Sequence, residues 1–156
     1  MEQEHKDYIQ TRQIMTILFG NWTTTFQQMD EFSPSDMRFT ATKGERERKY
    51  NVEIKSRNQD MTKYQTLPLT QRKLQRLKRD TSFDERLIFV VLVNESEYFI
   101  YDLYMIDFND IELRDWHVRK QEYNLNGSDY EDVPTYFIPT NKALRHGYYY
   151  AHHQQT

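Results

Sequence analysis

Residues 35–57 read Ser-Asp-Met-Arg-Phe-Thr-Ala-Thr-Lys-Gly-Glu-Arg-Glu-Arg-Lys-Tyr-Asn-Val-Glu-Ile-Lys-Ser-Arg, and this stretch decides the fold. Side chains in a strand change faces at every residue, so apolar residues spaced by two mark a buried face. Met37, Phe39 and Ala41 alternate with Arg38, Thr40 and Thr42, and Tyr50, Val52 and Ile54 alternate with Asn51, Glu53 and Lys55. Lys43-Gly44-Glu45-Arg46 supplies the turn between them, which predicts a hairpin whose return strand covers residues 48–57. Asp36 opens the first strand, while Glu53 and Lys55 share a face near the end of the second. The three meet at one end of the hairpin, a pair of hard oxygen donors beside a fixed positive charge, the set a metal-dependent phosphodiester-cleaving centre needs.

Upstream, Tyr8, Ile9, Met15, Leu18 and Phe19 recur at helical spacing over residues 3–19, and Gly20-Asn21 stops that helix. Trp22 to Phe26 is threonine-rich and aromatic and reads as a strand. Downstream, a polar loop leads to Thr70, an N-cap for a short basic helix that carries Leu74 and Leu77 on one side. Leu87 to Val93 is apolar throughout, as a central strand buried on both faces must be. Tyr98 to Tyr101 returns beside it across a turn at 94–97. Beyond Asp107 the pattern is less regular: Pro134 and Pro139 bracket Tyr136-Phe137-Ile138, read as a short edge strand, and residues 148–156 read as a mobile tail.

The 156 residues suit one domain with its own core. Cysteine is absent, which excludes disulfides, thiolate metal sites and cysteine nucleophiles. The longest apolar run falls far short of a membrane span and the N-terminus lacks a signal-like core, so a soluble, unprocessed, cytoplasmic protein is expected. The net charge of −3 hides an asymmetry, because residues 43–79 hold twelve Lys/Arg against four Asp/Glu on an otherwise acidic chain. A basic middle is what a polyanion site requires. The twelve tyrosines and other aromatics suit half-buried strands, with base stacking open to the exposed ones.

A Glu-x-Lys triplet alone means little, and Glu4-His5-Lys6 matches it too. Context separates the second match, since it ends an alternating strand preceded by a strand with an aspartate near its start. Ser33-Pro34-Ser35-Asp36, the hairpin and Val52-Glu53-Ile54-Lys55 together resemble the PD-(D/E)xK nuclease superfamily, which includes restriction endonucleases and archaeal Holliday junction resolvases. The resemblance covers about residues 3–104. It implies an α/β fold: a restriction endonuclease-like core of helix, three-stranded meander, helix and strand around a central mixed sheet. Residues 105–156 would be a C-terminal extension of that single domain.

The resemblance implies that Asp36 and Glu53 are metal ligands, joined by the carbonyl of Ile54, and that Lys55 is the catalytic lysine. The usual proline directly before the aspartate is displaced by Ser35. Many members place a glutamate on the first helix, for which Glu4 is the candidate, with Asp7 as fallback and Glu2 also open. Gln71 and Lys73 fall where some relatives carry an auxiliary polar residue. Mg²⁺ is the expected cofactor, with Mn²⁺ able to substitute. Arg46, Arg48, Lys49, Arg57, Lys63, Arg72, Lys73, Arg76 and Arg79 would contact phosphates without reading sequence. The expected partner is nucleic acid, DNA first, with a homodimer suited to cutting two strands and the acidic C-terminal part open to a protein.

Two other classes compete. One is a non-catalytic nucleic-acid or protein interaction domain that keeps the fold; the other, glycoside hydrolysis by paired carboxylates, leaves the lysine and the basic segment unexplained. Nucleophile elbows, phosphate-cradling glycine loops and His-Glu-x-x-His motifs are absent. His152-His153 reads as tail, and His117 and His146 as structural or surface histidines.

Overall fold

The computed structural model describes residues 2–119 and 130–150. Helix α1 (Glu2–Phe19) ends where Gly20 adopts φ +53°, a left-handed conformation that glycine takes without steric cost. Its buried face is Tyr8, Thr11, Ile14 and Met15. Ile9, expected inside, is on the solvent side, because the sheet takes the stripe through Tyr8, Thr11 and Met15, about 100° round the helix from it.

Six strands form the main sheet in the order β1-β2-β3-β5-β6-β9: β1 (Thr23–Gln28), β2 (Met37–Lys43), β3 (Arg46–Arg57), β5 (Glu85–Val93), β6 (Glu97–Asp102) and β9 (Arg145–Tyr148). β3 and β5 run parallel and the other neighbours antiparallel, so the sheet is mixed. The crossover between β3 and β5 carries β4 (Thr66–Thr70) and helix α2 (Gln71–Asp80). Thr70 caps α2 as its sequence predicts, its Oγ1 accepting from the Lys73 N–H at 3.1 Å. Helix, three-stranded meander, helix and strand therefore follow one another in the expected order, with β4 inserted before the second helix.

Alternation assigns the two faces of β3. Tyr50, Val52 and Ile54 join Ile88, Val90, Leu92 and the inward side of α1 in one apolar cluster. Asn51, Glu53, Lys55 and Arg57 point the other way, in register with Leu87, Phe89, Val91 and Val93, which pack beneath α2. Hence Glu53 lies on the helix-covered face, beside the apolar side chains of β5. The turn from β5 to β6 uses positive φ at Asn94 (53°) and Glu95 (55°), the twist that a tight hairpin needs. The Asn94 side chain also bonds the Gln59 backbone twice, at 2.9 and 2.8 Å, tying the end of β3 to this turn.

The C-terminal part departs from expectation. Among the described residues beyond Asp107, β7 (Glu112–Arg119) and β8 (Tyr130–Pro139) join β4 in a second, regular sheet of order β4-β8-β7. Tyr136 to Ile138 belongs to the central strand, not an edge. Both prolines are tolerated because β8 has one neighbour at each: Pro134 pairs only with Asp115 of β7 and Pro139 only with Thr66 of β4. Tyr148 ends β9 and the Tyr149 N–H bonds the Ser96 carbonyl at 2.9 Å, so the chain is paired up to that point. Tyr150 is exposed, and residues 151–156 of the expected tail, with His152 and His153, lie outside the described residues. No described helix is long and apolar enough to cross a membrane.

Candidate active site

β2 and β3 part after the pair Met37 and Val52, and Asp36 stands at the fork. Its N–H donates to the Val52 carbonyl at 2.9 Å and its carbonyl accepts from Met29 at 3.0 Å, which fixes the backbone. Its Oδ2 accepts the Ile54 N–H at 2.7 Å. The carboxylate thereby takes the ladder position that a further β2 residue would have filled, against the backbone between Glu53 and Lys55. On an antiparallel edge the N–H and C=O of one residue face the same side, so the Ile54 carbonyl borders Asp36 as well.

Glu53 is 8% exposed. Lys73, in the first turn of α2, places its Nζ 3.2 Å from Oε2 and donates to the Pro34 carbonyl at 2.7 Å. The other oxygen, Oε1, is buried without a hydrogen-bond partner. Burial first, and then the neighbouring Asp36 carboxyl, through its charge and a hydrogen bond between the two acids, hold the Glu53 pKa well above the usual carboxylate range, with Lys73 opposing. A buried charge with an unpaired oxygen costs several kcal/mol unless another group satisfies it. The donors available, two carboxylates and a carbonyl, are hard oxygens that fit Mg²⁺ or Mn²⁺. Among the described residues no third acidic or histidine side chain gathers with them, so such an ion would complete its shell with water and substrate.

Lys55 follows Glu53 by two on the same face and is exposed, free of ion pairs. Lys73 joins Glu53, whereas Gln71 turns to the Tyr136 hydroxyl at 3.5 Å. The candidates on α1 do not gather with the acid pair. Glu2 pairs with Lys6 at 3.4 Å, Glu4 is exposed, and Asp7 accepts from Ser56 Oγ at 2.6 Å on the α1 side of the sheet, opposite the Glu53 face.

The expected ring of cations around the centre is in fact split along β3. Arg46 stands seven residues from Glu53, about 23 Å along a strand. Arg46 and Arg48 lie over the Trp22 ring, each 5.0 Å from its centroid, and Lys49 pairs with Asp84 at 3.1 Å. On α2, Lys73 reaches the acid pair, while Arg72, 3.7 Å from Glu131, and exposed Arg76 and Arg79 follow along the helix. Lys63 is exposed on the loop between β3 and β4, and Arg57 ends β3.

Sequence reasoning missed a second polar cluster at the other end of α2. Arg38 bonds Asp80 at 3.1 Å and Glu85 at 2.9 Å, and Asn51 donates to Asp80 at 3.2 Å and Thr81 at 2.9 Å. Its signal was Asn51 itself, a polar residue in mid-strand beside an apolar neighbour strand.

No family model and no curated protein matches this sequence. Among solved structures the chain is similar to Hjc of Archaeoglobus fulgidus, a Holliday junction resolvase from an archaeal hyperthermophile. Identity is 13%, the TM-score is 0.47, and the match covers 86% of this chain and 93% of that one.

Proposed function

We propose that the chain is a divalent-metal-dependent nuclease that hydrolyses phosphodiester bonds, with DNA as its substrate. The observation that supports this most is the Glu53 carboxylate, buried beside Asp36 with one oxygen unsatisfied. A structural carboxylate at that depth should be fully paired; one that awaits a cation need not be. Asp36, Glu53 and the Ile54 carbonyl would hold Mg²⁺, or Mn²⁺ in its place, and the bound ion acidifies water and neutralises phosphate charge.

The chain's own residues do the rest. The Ile54 N–H orients Asp36, and Lys73 of α2 holds one oxygen of Glu53. Lys55 has its ammonium free for the scissile phosphate, where a fixed positive charge stabilises the anion that builds up during attack. A compact amine serves there better than a guanidinium, which does not release its proton at accessible pH. Arg72, Arg76 and Arg79 extend the positive surface from the site and would hold flanking phosphates irrespective of base. A two-fold dimer would present two such sites to two strands.

The second reading, a binding domain without catalysis, is favoured by the Lys73 ammonium already paired with Glu53. Incubation with supercoiled, linear, single-stranded and branched DNA and with RNA, in Mg²⁺, Mn²⁺ or EDTA, separates the two. Metal-dependent cutting by the wild type that is lost in Lys55→Ala is the expected result. Salt-sensitive binding without cutting of any substrate would favour the binding domain.

A further inference from the structure

Of the arginines whose side chains are described, Arg38 and Arg57 alone are withdrawn from full exposure. They are treated very differently. Arg38 is neutralised by Asp80 and Glu85. Arg57 has no carboxylate and no hydrogen-bond acceptor; its Nε is buried and unpartnered, and its guanidinium lies on the Trp116 ring, 4.8 Å from the centroid. Burial alone acts on its charge and weakens its hold on the proton. A half-buried cation supported only by an aromatic face is costly to the fold, since cation–π attraction returns about 0.5–2 kcal/mol against a larger desolvation penalty. An anion arriving at the open N–H groups would reverse that balance.

Position says which anion. Arg57 follows Lys55 by two on β3, so both side chains leave the same face, the one that bears Glu53. Trp116 comes from β7, across from Val133 of β8, so the second sheet reaches back to the end of β3 and supplies the platform. We infer that Arg57, stacked on Trp116, is a preorganised phosphate clamp for the nucleic-acid strand next to Lys55, and that the second sheet takes part in substrate binding through it. This rests on the nuclease reading for the identity of the ligand, and it makes Trp116 a positioning residue, because it acts through Arg57. A planar guanidinium held by stacking keeps its fork aimed at two phosphate oxygens and loses little freedom on binding.

The test is binding of a short labelled DNA, single-stranded and duplex, to the full chain in EDTA over a salt series, with thermal melting alongside. Arg57→Met should weaken binding about tenfold on both forms and lower the salt slope by about one. Its melting temperature should hold or rise, because an unrewarded buried charge has gone. Trp116→Leu should weaken binding with the slope retained, since the cation remains; should it fail to fold, Arg57→Lys, with charge but no planar stack, is expected to give the same pattern. Unchanged affinity and slope in Arg57→Met would overturn the clamp, as would a lower melting temperature in that variant or a wild type that binds no DNA. Cleavage in Mg²⁺ is scored separately: a wild type that cuts while Arg57→Met binds normally removes the clamp and leaves the nuclease, and a wild type that never cuts while Arg57→Met binds weakly does the reverse.

Discussion

Helix α2 has a carboxylate at each end, its own Asp80 and Glu53 of β3, and they are handled in opposite ways. At its C-terminal end Asp80 is the last helical residue, where the helix dipole disfavours a negative charge, yet it takes donors from Arg38, Asn51 and Ser35. At the N-terminal end Glu53 has Lys73 on one oxygen and the like-charged Asp36 carboxyl as its other close neighbour. The helix also opens with Arg72 and Lys73, cations at the dipole end that repels them. One end is a closed structural network; the other keeps positive charge and an unsatisfied carboxylate oxygen in reserve. Asn51 Oδ1, also unpaired, marks the difference in scale, since an orphaned neutral amide costs less than an orphaned carboxylate.

If this contrast is functional, the two carboxylates should separate in a cleavage assay by the widest margin. Asp36→Asn and Glu53→Gln should each lose at least about 100-fold in turnover, more than an outer-sphere partner is worth. Asp80→Asn should stay close to wild type. Equal losses in all three would erase the distinction.

Stability should sort the other way. Asp80→Ala leaves Arg38 to Glu85 alone and takes an acceptor from Asn51 and Ser35, and should cost about 2 kcal/mol, less than a fully buried pair because Arg38 and Asp80 are partly exposed. For a chain of this size that is a fall of about 4–8 °C in Tm. Glu53→Gln should hold or raise Tm without metal, because a buried charge becomes a neutral amide of the same shape. A large drop in Glu53→Gln would make Glu53 structural.

The pH dependence sharpens the same point. Because the folded pKa of Glu53 is raised, folding favours its protonated form. The contribution is fully present below the ordinary carboxylate pKa and is lost as pH rises through the raised folded value. Metal-free protein should therefore melt lower as pH climbs through that window, and Glu53→Gln should not show this loss. Saturating Mg²⁺ should flatten the curve for the wild type. The smallest effect expected is that of Lys73→Met, which removes a like charge from the cation's path and should tighten Mn²⁺ binding severalfold in a titration without nucleic acid.

Much of this was legible in the residues. Met37, Phe39 and Ala41 against Arg38, Thr40 and Thr42 is an unambiguous alternation, and a register slip would have turned the whole apolar set to solvent, so the hairpin and the Asp36, Glu53 and Lys55 grouping follow from it. Leu87 to Val93 was equally clear as a central strand. The second sheet was not legible, because Pro68, Pro134 and Pro139 fall inside strands, where proline ordinarily argues against one. Only the partial overlap of β4 and β7 along β8, a tertiary arrangement, gives those prolines places without a required donor. β9 hid for a related reason. Its Gly147 is there to admit the Tyr98 ring, with which any Cβ would collide, so it carries no side-chain signal at the contact that matters. The spread of cations misled as well: nearness in sequence placed Arg46, Arg48 and Lys49 by the acid pair, and strand length puts them far down β3.

The most direct test of the account is a Mn²⁺ titration followed by electron paramagnetic resonance on wild type, Glu53→Gln and Asp80→Asn. The account predicts binding by wild type and Asp80→Asn, with loss in Glu53→Gln. Equal binding in all three, or none in the wild type, would contradict the assignment of Asp36 and Glu53 as a metal centre.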